Sequence, residues 1–148
     1  MKHLIAIIIS LSFIMVGCST MPIVPETANK IPESRIINKD LAKPSSDRNL
    51  KVTFLRDDHY VSICRVMLYY QGEEIAILDR GEMVSFYFKE GEYRFGVKFG
   101  ENGFCAMTPY KVYQISILEG RDNNFRLLNA NSGAWFFQDV QRDESIYY

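Results

Sequence analysis

The chain has 148 residues, of which 47% are hydrophobic and 24% charged, and its formal net charge is -1. That length suits one small domain, and 17 Lys+Arg against 18 Asp+Glu leave no general electrostatic attraction for nucleic acid. Ten Phe, nine Tyr and one Trp are too many for a disordered chain.

Residues 1–18 read MKHLIAIIISLSFIMVGC. Lys2 precedes an uncharged apolar run over residues 4–16 that includes Ser10 and Ser12. A spanning helix needs about 20 apolar residues, so the run is short for a permanent anchor; its charged start and apolar middle fit an export signal, residues 1–17. Met15-Val16-Gly17-Cys18 resembles the lipobox of bacterial lipoproteins. Gly17 and Cys18 match it, while Met15 stands for the usual Leu and Val16 for the usual small residue. The resemblance implies cleavage after Gly17 and attachment of acyl chains at Cys18, several of which hold a protein stably on a membrane where one does not. It also implies, from Ser19 in place of Asp, the outer membrane with the body facing the periplasm.

Residues 18–50 read as a lipidated tether. Four of the five prolines (Pro22, Pro25, Pro32, Pro44) fall here, charges of both signs are scattered, and apolar residues come in ones and twos. Proline removes a backbone donor and fixes φ, so neither helix nor central strand runs through. A flexible chain of this length spans on the order of 30 Å. Ile23-Val24 and Ile36-Ile37 are the places where it would dock on a partner or on the domain itself.

From residue 51 to 148 the pattern becomes that of a β-domain. Residues 52–55 open the set, and residues 60–70 read as a long strand with Cys64, Val66 and Leu68 on one face. Gln71-Gly72-Glu73 turns the chain into residues 74–78, and Asp79-Arg80-Gly81-Glu82 turns it again. Residues 83–88 place Val84, Phe86 and Phe88 inward; residues 92–99 place Tyr93, Phe95, Val97 and Phe99 on one face and Arg94, Gly96 and Lys98 on the other. Such alternation is that of a strand buried on one side. Lys89-Glu90-Gly91 reads as a tight turn joining these two strands. Residues 111–118, 125–129 and 134–140 complete seven or eight strands, a spacing that predicts an all-β antiparallel sandwich.

The segment Val66-Met67-Leu68-Tyr69-Tyr70-Gln71-Gly72-Glu73-Glu74-Ile75-Ala76-Ile77-Leu78 resembles the opening of PEGA-type domains of bacterial lipoproteins. Gln71-Gly72-Glu73-Glu74-Ile75-Ala76 stands for their D-G-x-x-I-G turn, and Phe88-Lys89-Glu90-Gly91-Glu92-Tyr93 for their L-x-x-G-x-Y step, so the likeness covers residues 60–99. It implies an envelope accessory or carbohydrate-surface module and no catalytic residues.

With Cys18 lipidated, Cys64 and Cys105 form an even pair, which in an exported protein argues for a disulfide. Chemistry is harder to find. Asp57-Asp58-His59 offers too few ligands for a closed zinc site and reads as a polar turn, so no metal or cofactor is expected. Glu73-Glu74, Glu90/Glu92 and Asp143-Glu144 fall in predicted turns or the tail, where carboxylates are solvated. No nucleophile elbow or phosphate-binding loop is present. The expectation is therefore a non-enzymatic body that contacts an envelope protein, or peptidoglycan, through aromatics. Tyr69, Tyr70, Tyr87, Tyr110 and Tyr113 read as strand residues, and the candidates singled out are Tyr69, Tyr70, Trp135, Tyr147 and Tyr148: in each of Tyr69-Tyr70 and Trp135-Phe136 one member should point outward or into a second layer, and Ser145-Ile146-Tyr147-Tyr148 reads as an exposed apolar tail that could add a strand or touch a partner.

Overall fold

Period-two patterning sorts each strand into a buried and a wetted face, and the only way to bury the apolar faces is to oppose two sheets. The computed structural model, which describes residues 23–58, 64–100, 105, 109–129 and 135–140, has this form. In chain order the described strands are β1 Asn29–Lys30, β2 Leu50–Arg56, β3 Val66–Tyr70, β4 Glu73–Leu78, β5 Glu82–Phe88, β6 Gly91–Phe99, β7 Lys111–Ile117, β8 Asn123–Asn129 and β9 Trp135–Asp139. They form a five-stranded sheet, β1-β5-β2-β8-β9, and a four-stranded sheet, β4-β3-β6-β7. The all-β sandwich expected from the spacing is what the chain adopts. Of the long strand expected over 60–70, residues 60–63 lie outside the described residues, and the described strand begins at Val66, so Cys64 and Arg65 precede it.

Two details depart from the expected topology. The sandwich is mostly rather than wholly antiparallel: β2 runs parallel to β8, with Phe54 opposite Phe125, and β1 runs parallel to β5. The β7–β8 link changes sheets, so β8 enters beside β2 running the same way. The second departure is Lys89-Glu90-Gly91, which is a corner between sheets and not a hairpin. A paired hairpin would line Phe86, Phe88 and Phe95 along one face. Placing β5 and β6 in opposite layers lets these faces meet, and Phe88 packs on Phe95 with ring centroids 5.4 Å apart. The β3–β4 link, by contrast, is a tight hairpin. Tyr70 pairs with Glu73, and Gln71 (φ 53°) and Gly72 (φ 84°) form the two-residue, doubly left-handed turn whose twist matches that of strands.

Phe54 is the centre of the core. It is fully buried and contacts Phe86 and Phe125 of its own sheet and, at 4.8 Å, Phe95 of the facing one. Val52, Val66, Leu68, Ile75, Leu78, Ile115, Ile117 and Leu127 complete the layer.

Residues 23–50 are not a loose tether. Asn29 N donates to Gly81 O, Ile31 N to Met83 O and Tyr87 N to Leu41 O, so this segment runs along the outer edge of β5. Between those points Ile36 bridges Ala76 of β4, and Ile37 N and Asn38 N donate to Ile75 O. The segment is thus a strap across the seam between the two sheets. Ile31 and Leu41 enter the core, each 6% exposed, and Ile36 packs against it. The isolated apolar residues that read as low hydrophobicity sit five apart, at 31, 36 and 41, and supply one core contact per pass. The prolines shape the strap without preventing it: Pro32 caps the 3₁₀ turn Glu33–Arg35.

Arg35 in that turn clips the strap to the β4–β5 corner. Its guanidinium takes the Glu82 carboxylate with both arms, at 2.8 and 2.5 Å, and reaches Asp79 at 3.0 Å. The Glu82 hydrogen bond holds the Arg35 pKa above its ordinary value. Two-pronged pairing of this kind fixes geometry as well as charge.

Candidate functional site

Tyr69 and Tyr70 part as adjacent strand residues must. Tyr70 points inward and packs against Phe88, Tyr93 and Phe95; burial raises its pKa. It is a core residue and not a contact residue. Tyr69 points to the outer face of the four-stranded sheet, where its hydroxyl donates to Glu74 Oε2 at 3.3 Å.

The register explains what surrounds Tyr69. Tyr69 lies opposite Gly96, and Gly96 opposite Val112. Gly96 leaves a hollow in the sheet surface that the Tyr110 ring fills: a Cβ built on Gly96 would sit 2.1 Å from Tyr110 Oη. Tyr110 then meets Tyr69 edge to face, centroids 5.3 Å apart and planes at 89°. A glycine inside a strand pattern marks such a close approach. Tyr110 is one of the strand aromatics expected from the sequence, and Gly96 is the sequence feature that explains its pairing with Tyr69. Tyr110 remains 45% exposed and Val112 52%. Around them, Arg94 lies opposite Gln114 and Glu92 opposite Ser116, with Gln114 Nε2 donating to Glu92 Oε2 at 2.5 Å. The face is a small aromatic and aliphatic island with a charged border.

Cys64 and Cys105 are joined as the residue count suggested, Cα atoms 5.5 Å apart. With Gly100 N donating to Arg65 O, the bridge ties the entry of β3 to the chain between β6 and β7. Trp135 opens β9 opposite Asn129. Cys18, Tyr147 and Tyr148 lie outside the described residues.

The polar clusters are occupied with structural pairing. Asp57 accepts from Arg126 Nε (3.1 Å) and Nη2 (2.6 Å), and from Ile23 N (3.2 Å). Asp58 faces Arg80 at 3.9 Å, and His59 lies outside the described residues. Arg65 joins Arg35 on Asp79. Arg56 is buried between the sheets, donates to Leu78 O at 2.8 Å, and is pushed down to about 10 by desolvation. Among the described residues no three His, Cys, Asp or Glu side chains are placed to hold a metal. A hollow of about 340 Å³ lies between strap and β5, bordered by Ile31, Ile36, Met83 and Tyr87, with Lys30 and Lys51 also lining it.

Comparison with protein-family models, with curated proteins and with solved structures returns no match to this chain.

Proposed function

We propose that the chain is a bacterial envelope lipoprotein, held at the outer membrane by acyl chains on Cys18 and facing the periplasm, whose β-body is a non-catalytic module for contacting another envelope protein. The observation that supports the contact role is the Tyr69–Tyr110–Val112 island, which stands on a disulfide-braced sheet and leaves two of its members about half exposed. Aromatic groups at the centre of a polar border are the usual composition of a recognition surface.

The packed strap changes the geometry of attachment. Ile23 is already fixed to Asp57, so residues 19–22 alone separate it from Cys18. Five chain steps reach at most roughly 17 Å. The body would therefore ride close to the lipid surface, and its partner would be membrane-embedded or membrane-apposed.

Two experiments test this reading. Cys18→Ser should move the protein out of the outer-membrane fraction or leave it unprocessed; unchanged fractionation refutes the anchor. A photo-crosslinking residue at Lys98, on the same face as Gly96, should give a discrete adduct with another envelope protein in intact cells; the absence of any protein adduct refutes the contact role. A glycan-binding role is the second reading, favoured by the exposed Tyr110 ring, since sugars stack on such rings. It requires retention on purified peptidoglycan that Tyr110→Ala abolishes.

A further inference from the structure

The strap touches β5 at its two ends and bows away between them. Ile31 N donates to Met83 O, and Tyr87 N donates to Leu41 O, while from Ile36 to Asn38 the strap lies over β4 instead, on Ala76 and Ile75. Along a strand, the N–H and C=O of every second residue point to the same edge. Ser85 therefore aims both groups at the edge that Met83 and Tyr87 use, midway along about 13 Å of strand. Neither group has a backbone partner among the described residues. The Ser85 hydroxyl is engaged with Thr53 Oγ1 at 3.1 Å and does not serve this pair.

The gap between strap and strand is the hollow of about 340 Å³, which Ser85 helps to line. Its apolar wall is formed by Ile31, Ile36 and Met83. Its charged groups are Lys30, paired in register with Met83, Lys51, paired with Tyr87, and Glu33. None of the three is ion-paired among the described residues, and together they leave one positive charge. A backbone donor and acceptor side by side on a strand edge take one residue of extended chain. Because the strap closes the gap at both ends, that residue has to be a chain end and not a strand passing through.

We infer that the hollow binds a C-terminal amino-acid residue, that is, an acylated amide N–H followed by a free carboxylate. The amide N–H donates to Ser85 O. The carboxylate accepts from Ser85 N–H and pairs with Lys30 or Lys51, and an aliphatic side chain lies on Ile31 and Ile36. The single excess positive charge matches a monoanion. At about 30 Å³ for each water-sized group, the hollow holds roughly a dozen non-hydrogen atoms, the size of N-acetyl-leucine. The inference concerns the strap and β5, and holds whether or not Cys18 carries lipid.

Titration of the isotopically labelled protein with N-acetyl-leucine, followed by its amide resonances, provides the test. The Ser85 resonance should shift and saturate. N-acetyl-leucinamide, which lacks the charge, and isocaproate, which lacks the amide, should each bind at least tenfold more weakly. Lys30→Met combined with Lys51→Met should weaken N-acetyl-leucine at least tenfold and leave the melting temperature unchanged, both side chains being exposed. Equal or tighter binding of N-acetyl-trialanyl-leucine assigns the site to peptide chain ends, and tenfold weaker binding assigns it to free N-acylated amino acids. The inference is overturned if N-acetyl-leucine leaves Ser85 unmoved, if the three small probes bind alike, or if the double lysine variant binds as the parent does.

Discussion

Leu41→Ala is the sharpest probe of the strap. Leu41 is 6% exposed and lies in the core cluster, 46 residues of chain before Tyr87, whose backbone N–H donates to its carbonyl. Truncating a buried Leu costs about 2–5 kcal/mol, the lower values where surrounding structure can relax. A seam position can relax more than a sheet centre, so about 3 kcal/mol is expected, and a similar loss for Ile31→Ala. Ile37 is the internal control: it sits on the same strap at 49% exposure, and its truncation should stay within about 0.5 kcal/mol. For a domain of this size, 3 kcal/mol lowers the midpoint of thermal unfolding by roughly 10 °C. Urea unfolding of each variant, followed by far-UV circular dichroism, gives the free energies directly. If Ile31→Ala and Leu41→Ala both unfold within 0.5 kcal/mol of the parent, the strap adds nothing to the fold and the tether reading of residues 23–50 is restored.

Other outcomes follow from single contacts. Reducing the Cys64–Cys105 bridge, which spans 41 positions, should lower stability by up to about 4 kcal/mol, the loop-entropy value; a change under 1 kcal/mol in urea midpoints would show that the bridge does not constrain the unfolded chain. Gln71→Asn should raise stability by roughly 0.5 kcal/mol, because Asn tolerates the left-handed first position of the β3–β4 turn better; a lower melting temperature would contradict the turn assignment. Burial raises the pKa of Tyr70, so the unfolded chain releases that proton first. The associated stability is intact below pH about 10 and is lost as pH climbs through the folded value. Arg56, depressed to about 10, acts in the opposite sense there, since the folded state then sheds an unfavourable charge. Tyr70→Phe should therefore show a shallower loss of stability between pH 9 and 11 than the parent, measured by urea midpoints; an equal or steeper loss would place the Tyr70 hydroxyl in water.

Strands were legible wherever burial was one-sided. Tyr93, Phe95, Val97 and Phe99 alternate with Arg94, Gly96 and Lys98, and β6 places them as that alternation requires. What the pattern does not carry is which sheet a strand joins. Phe88 and Phe95 look alike whether they share a face or oppose one another, and the corner at Lys89-Glu90 decides between these by total burial, a property of the whole fold. The strap escaped for a related reason. Ile31, Ile36 and Leu41 are too sparse to mark an element, and their value depends on a seam that strands forty or more residues downstream create. The contact surface was half legible: neighbouring tyrosines guarantee one outward member, but choosing Tyr69 over Tyr70 needs the direction of β3. Tyr110 entered through Gly96, a glycine whose reason is a ring arriving from a different part of the chain.

The strap also sets a limit on growth. A β-sheet extends indefinitely only when both of its margins accept a newcomer, as in a fibril. Here one margin of each sheet is already filled by the molecule's own leading segment, fastened by Arg35. A strand could join the four-stranded sheet on the β4 side only by displacing this segment. The segment that seals the core thereby also closes that margin to another chain.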